Sequence, residues 1–146
     1  MYHSLIFDIG DNRAYNTWDD WHLIPSTRPV VAQPTPVYTY VDIPGSDGSM
    51  DLTDYLIGRP TYSDRNGSFD FYVANDYGDW ADRKAELAAF FNGRVMKMFL
   101  EDDREYYYEG RIYFKQWTPD ASHSKVTLEY RLKPYRYLSN GEVAGL

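Results

Sequence analysis

The chain contains no cysteine, which excludes a disulfide scaffold, a thiolate zinc site and a cysteine nucleophile together. No apolar run approaches the ~18 residues that a membrane-spanning helix needs. Basic residues are in the minority, 15 Lys and Arg against 22 Asp and Glu, and the net charge of −7 argues against a grip on nucleic-acid phosphates. That charge is expected to keep the chain soluble and to repel anionic polymers. The opening residues 1–10 lack a basic flank and a cleavable apolar stretch, so no secretion signal is expected there. There is no Gly-x-Gly-x-x-Gly and no Walker loop, so nothing supports nucleotide binding.

What is present fits one folded domain over residues 1–146, long enough to bury roughly two thirds of its surface. Hydrophobic residues at 43% and charged residues at 25% exclude a disordered chain. Aromatics reach 18%, and 15 of them are tyrosine. Tyrosine favours strands and half-wet surfaces, with its ring buried and its hydroxyl in contact with water or a partner. That composition suits a carbohydrate-binding β-sandwich and a self-assembling subunit equally.

Period-two alternation marks most of the chain as β. Strands are expected over 2–9, 18–24, 37–43, 69–74, 94–101, 105–117 and 124–132, with shorter pieces near 50–56 and 59–62. Residues 10–17 read as a polar break. Four prolines between Pro25 and Pro36 bar a central strand, so residues 25–36 read as an extended arm. Pro44–Gly48, Arg65-Asn66-Gly67 and Glu101–Arg104 read as turns. A bulge is expected at Gly110. One helix is expected over 80–92, capped by Asp79 and stopped by Gly93, with Trp80, Leu87, Phe90 and Phe91 on its apolar stripe. Residues 139–146 read as an unpaired tail. The fold class is mainly β (α+β): two packed antiparallel β-sheets, as a sandwich or split barrel, with one flanking α-helix.

The acidic residues offer two chemical readings. Asp42, Asp47, Asp51 and Asp54 surround the Pro-Gly turn but lack the spacing of a calcium loop, and turn capping explains them better. Glu101, Asp102 and Asp103 supply the carboxylates of a glycosidase, yet three consecutive residues point in different directions. His3, His22 and His123 stand at no metal-ligand spacing. Tyr106, Tyr107, Tyr108 and Trp117 suggest a sugar-stacking platform, except that alternation sends one of the tyrosines into the core. No catalytic residue, cofactor site or metal site is therefore expected, and the chain is read as no enzyme. A domain without a site but rich in aromatic surface is expected to act through contacts with other chains.

Several segments, in order, resemble the distal tail protein (Dit) family of long-tailed phages and prophages. They are Trp18–Pro25, the Pro-Gly turn and acidic strand Val41–Thr53, Arg65–Phe71, and the hairpin Leu100–Asp103 with Tyr107–Arg111. The resemblance covers residues 2 to about 137. It implies a structural virion protein at the tail tip: a hexameric ring that joins the tail tube protein to the baseplate hub around a DNA channel. It also implies a tail-tube-like ring domain, virion localisation after assembly in the bacterial host cytoplasm, and no membrane partner. The galectin-like second domain that many members carry is not expected within these 146 residues. A tube or baseplate component of a contractile tail or injection machine is the alternative of the same fold, and a carbohydrate-binding β-sandwich the alternative of another class.

Two details follow from the ring reading. The proline arm is expected to lie across a neighbouring subunit, since a stiff segment loses little entropy on docking. A channel that must not grip DNA is expected to be acidic, with Asp47, Asp51, Asp102 and Asp103 on its wall or rim.

Overall fold

A computed structural model describes residues 3–74, 80–119 and 123–146. In chain order the strands are β1 (Leu5–Asp8), β2 (Ala14–Asn16), β3 (Leu23–Pro25), β4 (Pro36–Val37), β5 (Tyr40–Asp42), β6 (Ser49–Asp51), β7 (Thr61–Tyr62) and β8 (Arg65–Val73). Then come helix α1 (Trp80–Phe90), β9 (Asn92–Leu100), β10 (Asp103–Thr118), β11 (Lys125–Leu132), β12 (Arg136–Leu138) and β13 (Val143–Gly145). The mainly β, antiparallel class with a flanking helix is what the sequence led us to expect.

The main sheet runs β2-β1-β9-β10-β11-β8-β3, and every pairing in it is antiparallel. It stays open, but it curls until its edge strands approach each other. Thr17, fully buried, is the clasp. Its N–H donates to the Leu5 carbonyl at 3.1 Å and its own carbonyl accepts from Leu23 N–H at 2.9 Å. Its hydroxyl accepts from Leu5 N–H at 3.1 Å. Curling of this kind follows the handed twist of strands and shelters edges that would otherwise pair with other chains.

The core lies on one face of this sheet, and strand alternation puts it there. On β8, Phe69, Phe71 and Val73 are buried, and on β11 Val126, Leu128, Tyr130 and Leu132 are. β1 contributes Leu5 and Phe7, β9 contributes Met96 and Met98, and β10 contributes Ile112. Helix α1 covers this face with Leu87, and Phe91 just after it meets Phe7 at 5.0 Å and Trp21 at 5.3 Å between ring centroids. Each such side chain contributes about 1.5–3 kcal/mol by leaving water. Gly93, expected as the helix stop, lies three residues past Phe90 as the second residue of β9, where φ +87° turns the chain into the strand. The expected cap, Asp79, lies outside the described residues.

Several expectations need correction. Residues 10–17 are no mere break: β2 pairs with β1, with Ile6 opposite Asn16. Residues 18–21 form a turn, not a strand, because the Asn16 side chain accepts the Trp18 N–H at 2.8 Å and competes with ladder pairing. Residues 37–43 are split between β4 and β5, and both are exposed or half-buried. Arg65-Asn66-Gly67 is no turn but the start of β8, paired with Leu132, Arg131 and Tyr130. Gly67 is there for space: a Cβ on it would lie 2.4 Å from the Tyr130 hydroxyl. Gly110 carries no bulge and answers a similar demand, a Cβ there lying 2.3 Å from the Arg131 carbonyl. The irregularities of β10 fall instead between Asp103 and Tyr107, Arg111 and Tyr113, and Phe114 and Gln116. Trp80 at the start of α1 is half-exposed, so the full helix stripe is not formed.

The tail and the proline arm are tied down more firmly than alternation implied. The tail is a hairpin, β12 with β13, and β12 pairs with β10 at Tyr106 and Tyr107. The proline arm lies on its own domain, with Pro29, Val31 and Pro34 buried. Ala32 N–H donates to the Tyr130 hydroxyl at 2.9 Å. Arg65, buried, donates to the carbonyls of Ala32 and Pro134, both at 3.0 Å, and so staples the arm and the tail hairpin to β8. Burial lowers its guanidinium pKa, because the charged form loses hydration.

Candidate functional site

The three carboxylates of the β9–β10 turn are divided among four partners. Glu101 accepts the Ser4 N–H at 2.8 Å. Asp102 meets His3 Nδ1 at 2.7 Å and Arg28 Nε at 3.7 Å. Asp103 lies 3.7 Å from Arg136 Nη1. The turn is thus a junction that fastens the N-terminal segment, the arm and the tail hairpin. Two carboxylates facing one sugar ring, which glycosidases require, are not assembled there.

Two of the four aspartates near the Pro-Gly turn bond locally. Asp42 accepts the Ser49 hydroxyl at 2.5 Å across the β5–β6 ribbon. Asp51 accepts the Thr53 N–H at 3.0 Å. The Thr53 hydroxyl and N–H together hold the Asp51 carboxyl below its ordinary pKa. Among the described residues no three of His, Asp and Glu gather where a metal would need them. His22 sits in the 18–22 turn at φ +53°, its ring edge-on to Trp18 at 5.2 Å, and His123 is exposed.

The aromatic platform is taken apart as well. Tyr107 is buried and stacks on Tyr137 at 5.4 Å. Tyr106 lies under the Arg136 guanidinium at 4.2 Å, and Tyr108 under that of Arg65 at 5.1 Å. Trp117 is buried, 6.4 Å from Trp80. No shared flat surface is left for a sugar.

Two surfaces that alternation did not reveal stand out instead. The first is the segment 35–64, in which no residue is buried. Its turn Asp54–Gly58 displays Tyr55, Leu56 and Ile57 at 79%, 90% and 61% exposure. Backbone bonds from Tyr55 N–H to Leu52 (3.1 Å) and from Gly58 N–H to Asp54 (2.8 Å) hold that turn. The signal was in the sequence: residues 29–58 contain four aspartates and no Lys, Arg or His.

The second is the outer face of the sheet, opposite the core. A groove of about 600 Å³ opens there, lined by Gly67, Gly93, Arg111, Tyr113, Glu129 and Arg131 among others. Arg131 pairs with Asp64 at 2.8 Å, while Arg111 donates to the Gly93 carbonyl at 3.0 Å. A smaller hollow of about 200 Å³, bounded by Val95 and Leu132, continues past the two arginines.

No protein-family model matches the chain, and no curated protein matches its sequence. A solved structure does. The crystal structure of SPP1 Dit (gp 19.1), described as a paradigm of the hub adsorption apparatus in phages infecting Gram-positive bacteria, superposes with a TM-score of 0.62 at 19% identity. The two chains share a fold. The likeness covers 92% of this chain and 51% of SPP1 Dit, so this chain spans about half the length of that protein. Among the described residues no helix is long and apolar enough to cross a membrane.

Proposed function

We propose that the chain is a structural subunit of a phage tail tip, a Dit-like ring protein that joins the tail tube to the baseplate hub around the DNA channel. The observation that carries this reading is the likeness of 92% of the chain to SPP1 Dit. The carboxylates of residues 101–103, His3 and the tyrosines 106–108 are engaged within the fold, which favours a role in shape over one in chemistry. The partners are other copies of the chain, six in a closed ring, with the tube protein on one side and the hub on the other. A closed ring requires a heterologous contact that returns on itself, and stable contacts of that kind bury about 1,200 Å² or more.

The domain is a single ring domain, and the mature protein resides in the virion. Within the ring, Asp47 and Asp51 on the ribbon face the channel or its rim, where negative charge keeps DNA from sticking. Asp102 and Asp103 contribute less, because each already faces a cation of its own chain.

Electron microscopy of the purified chain, alone and with the tube protein encoded beside it, tests the reading. Six-fold rings that cap the tube are expected. Particles that assemble complete tails without this chain would overturn it.

A further inference from the structure

We propose that Arg65 makes the proline arm and the tail hairpin a single latch, so that the two segments close and open together. The latch belongs to the single chain and needs no partner to form.

Arg65, at the start of β8, is only 1% exposed. Among the described residues no carboxylate pairs with it, and its Nη2 lies buried without a hydrogen-bond partner. Arg136, on the tail hairpin, adds a like charge nearby. What offsets the guanidinium is one carbonyl from each segment, Ala32 in the arm and Pro134 just before the tail hairpin, together with the Tyr108 ring. Such bonds are strong in a dry site and weak where water competes. When one segment lifts, water reaches the guanidinium and competes with the carbonyl of the other. The second segment then costs less to open, which couples the two. A further link, from Arg59 Nη1 to the Tyr135 hydroxyl at 2.8 Å, joins the foot of segment 35–64 to the tail linker, but it is exposed and water competes for both ends.

The closed latch also occupies strand edges. The tail hairpin pairs with β10 at Tyr106 and Tyr107. The arm leaves β3 along β8, where Ser26 N–H donates to the Asp70 carbonyl at 3.0 Å. Free edges are where other chains add strands, so a shared latch bares both places together or neither.

Hydrogen exchange of the full chain tests the latch at two amides. One is Ala32 N–H in the arm; the other is Ser139 N–H in the tail, bonded to the Glu105 carbonyl at 3.1 Å. Tyr130→Phe acts on the arm, because it removes the acceptor of Ala32 N–H. Tyr137→Ala acts on the tail, because it removes the stack on Tyr107. Each should quicken exchange in the other segment by about fivefold or more, while the Phe71 N–H in the sheet keeps its rate. Quickening confined to the altered segment, or spread equally to Phe71, would overturn the proposal. In an Arg65→Lys background the cross-effect should vanish, because a flexible ammonium replaces the fork that spans both carbonyls. A cross-effect that persists there would show that another contact does the coupling, and Arg65 would lose this role. Should Arg65→Lys not fold, Arg65→Gln takes its place, and the first two variants still decide whether the segments open as one.

Discussion

The curled sheet and the segment 35–64 obey opposite rules, although both are written in the same alternating code. On β8 and β11 the apolar residues of each alternation are buried, and they meet those of β1, β9 and β10 in one cluster. In β5 and β6 the alternation Tyr40-Val41-Asp42 and Ser49-Met50-Asp51 has nothing to bury against, and every residue is exposed. A two-stranded ribbon has no third layer, so its stability alone is marginal in water. The difference teaches that alternation reports a strand with two unlike faces, and that a second layer must exist before one of them becomes core.

The largest effect should come from trespassing on the sheet. Phe71→Ala should cost about 3–5 kcal/mol in urea unfolding, because it opens a cavity among buried neighbours. Leu56→Ala should stay within about 0.5 kcal/mol, as surface changes do. If the two substitutions cost the same, the comparison fails. Next, Arg65→Ala should cost about 1.5–3 kcal/mol, since it leaves the carbonyls of Ala32 and Pro134 without their charged donor. Limited proteolysis should then cut first in the arm; an arm that stays protected would show that Arg65 does not hold it.

How much of this was legible followed the same division. The long strands β8, β10 and β11, the helix and the Glu101–Arg104 turn were readable because each buries a face in a regular period. β2 was not, because three residues leave no period to detect. Arg65-Asn66-Gly67 misled because Asn-Gly favours positive φ in tight turns, whereas here the glycine makes room for the Tyr130 ring. The tail and the arm were misread as loose, since their attachment depends on single distant partners such as Arg65 and Tyr107. Among candidate residues, the carboxylates of 101–103 were rightly separated by direction. The exposure of Tyr55, Leu56 and Ile57 was not legible, because residue type alone does not say whether a second layer covers a turn.

A smaller effect should follow from the clasp. Thr17→Val keeps the shape but leaves the buried Leu5 N–H without its acceptor, at about 1–3 kcal/mol. Hydrogen exchange should then quicken at β1 and β3 together, and quickening at only one would argue against a shared clasp. The smallest effect concerns pH. The Tyr15 hydroxyl donates to Asp11 at 2.5 Å and so lowers the Asp11 pKa from its ordinary 3.8. A carboxyl with a depressed folded-state value stabilises above 3.8 and loses that contribution as pH falls through the folded value. Both groups are solvent-exposed, so the unfolding midpoint of the unaltered chain should fall only slightly more on acidification than that of Tyr15→Phe. Equal falls would dismiss the bond as a contributor.

The central claim is that the sheet folds by itself and the exposed segment exists for other chains. Sedimentation of the full chain beside a version in which residues 39–58 are replaced by a short Gly-Ser turn, at matched concentrations and with the tube protein present, addresses it most directly. The account predicts a hexamer from the full chain and a folded, cooperatively unfolding monomer from the shortened one. A shortened chain that still assembles, or one that no longer folds, would contradict it.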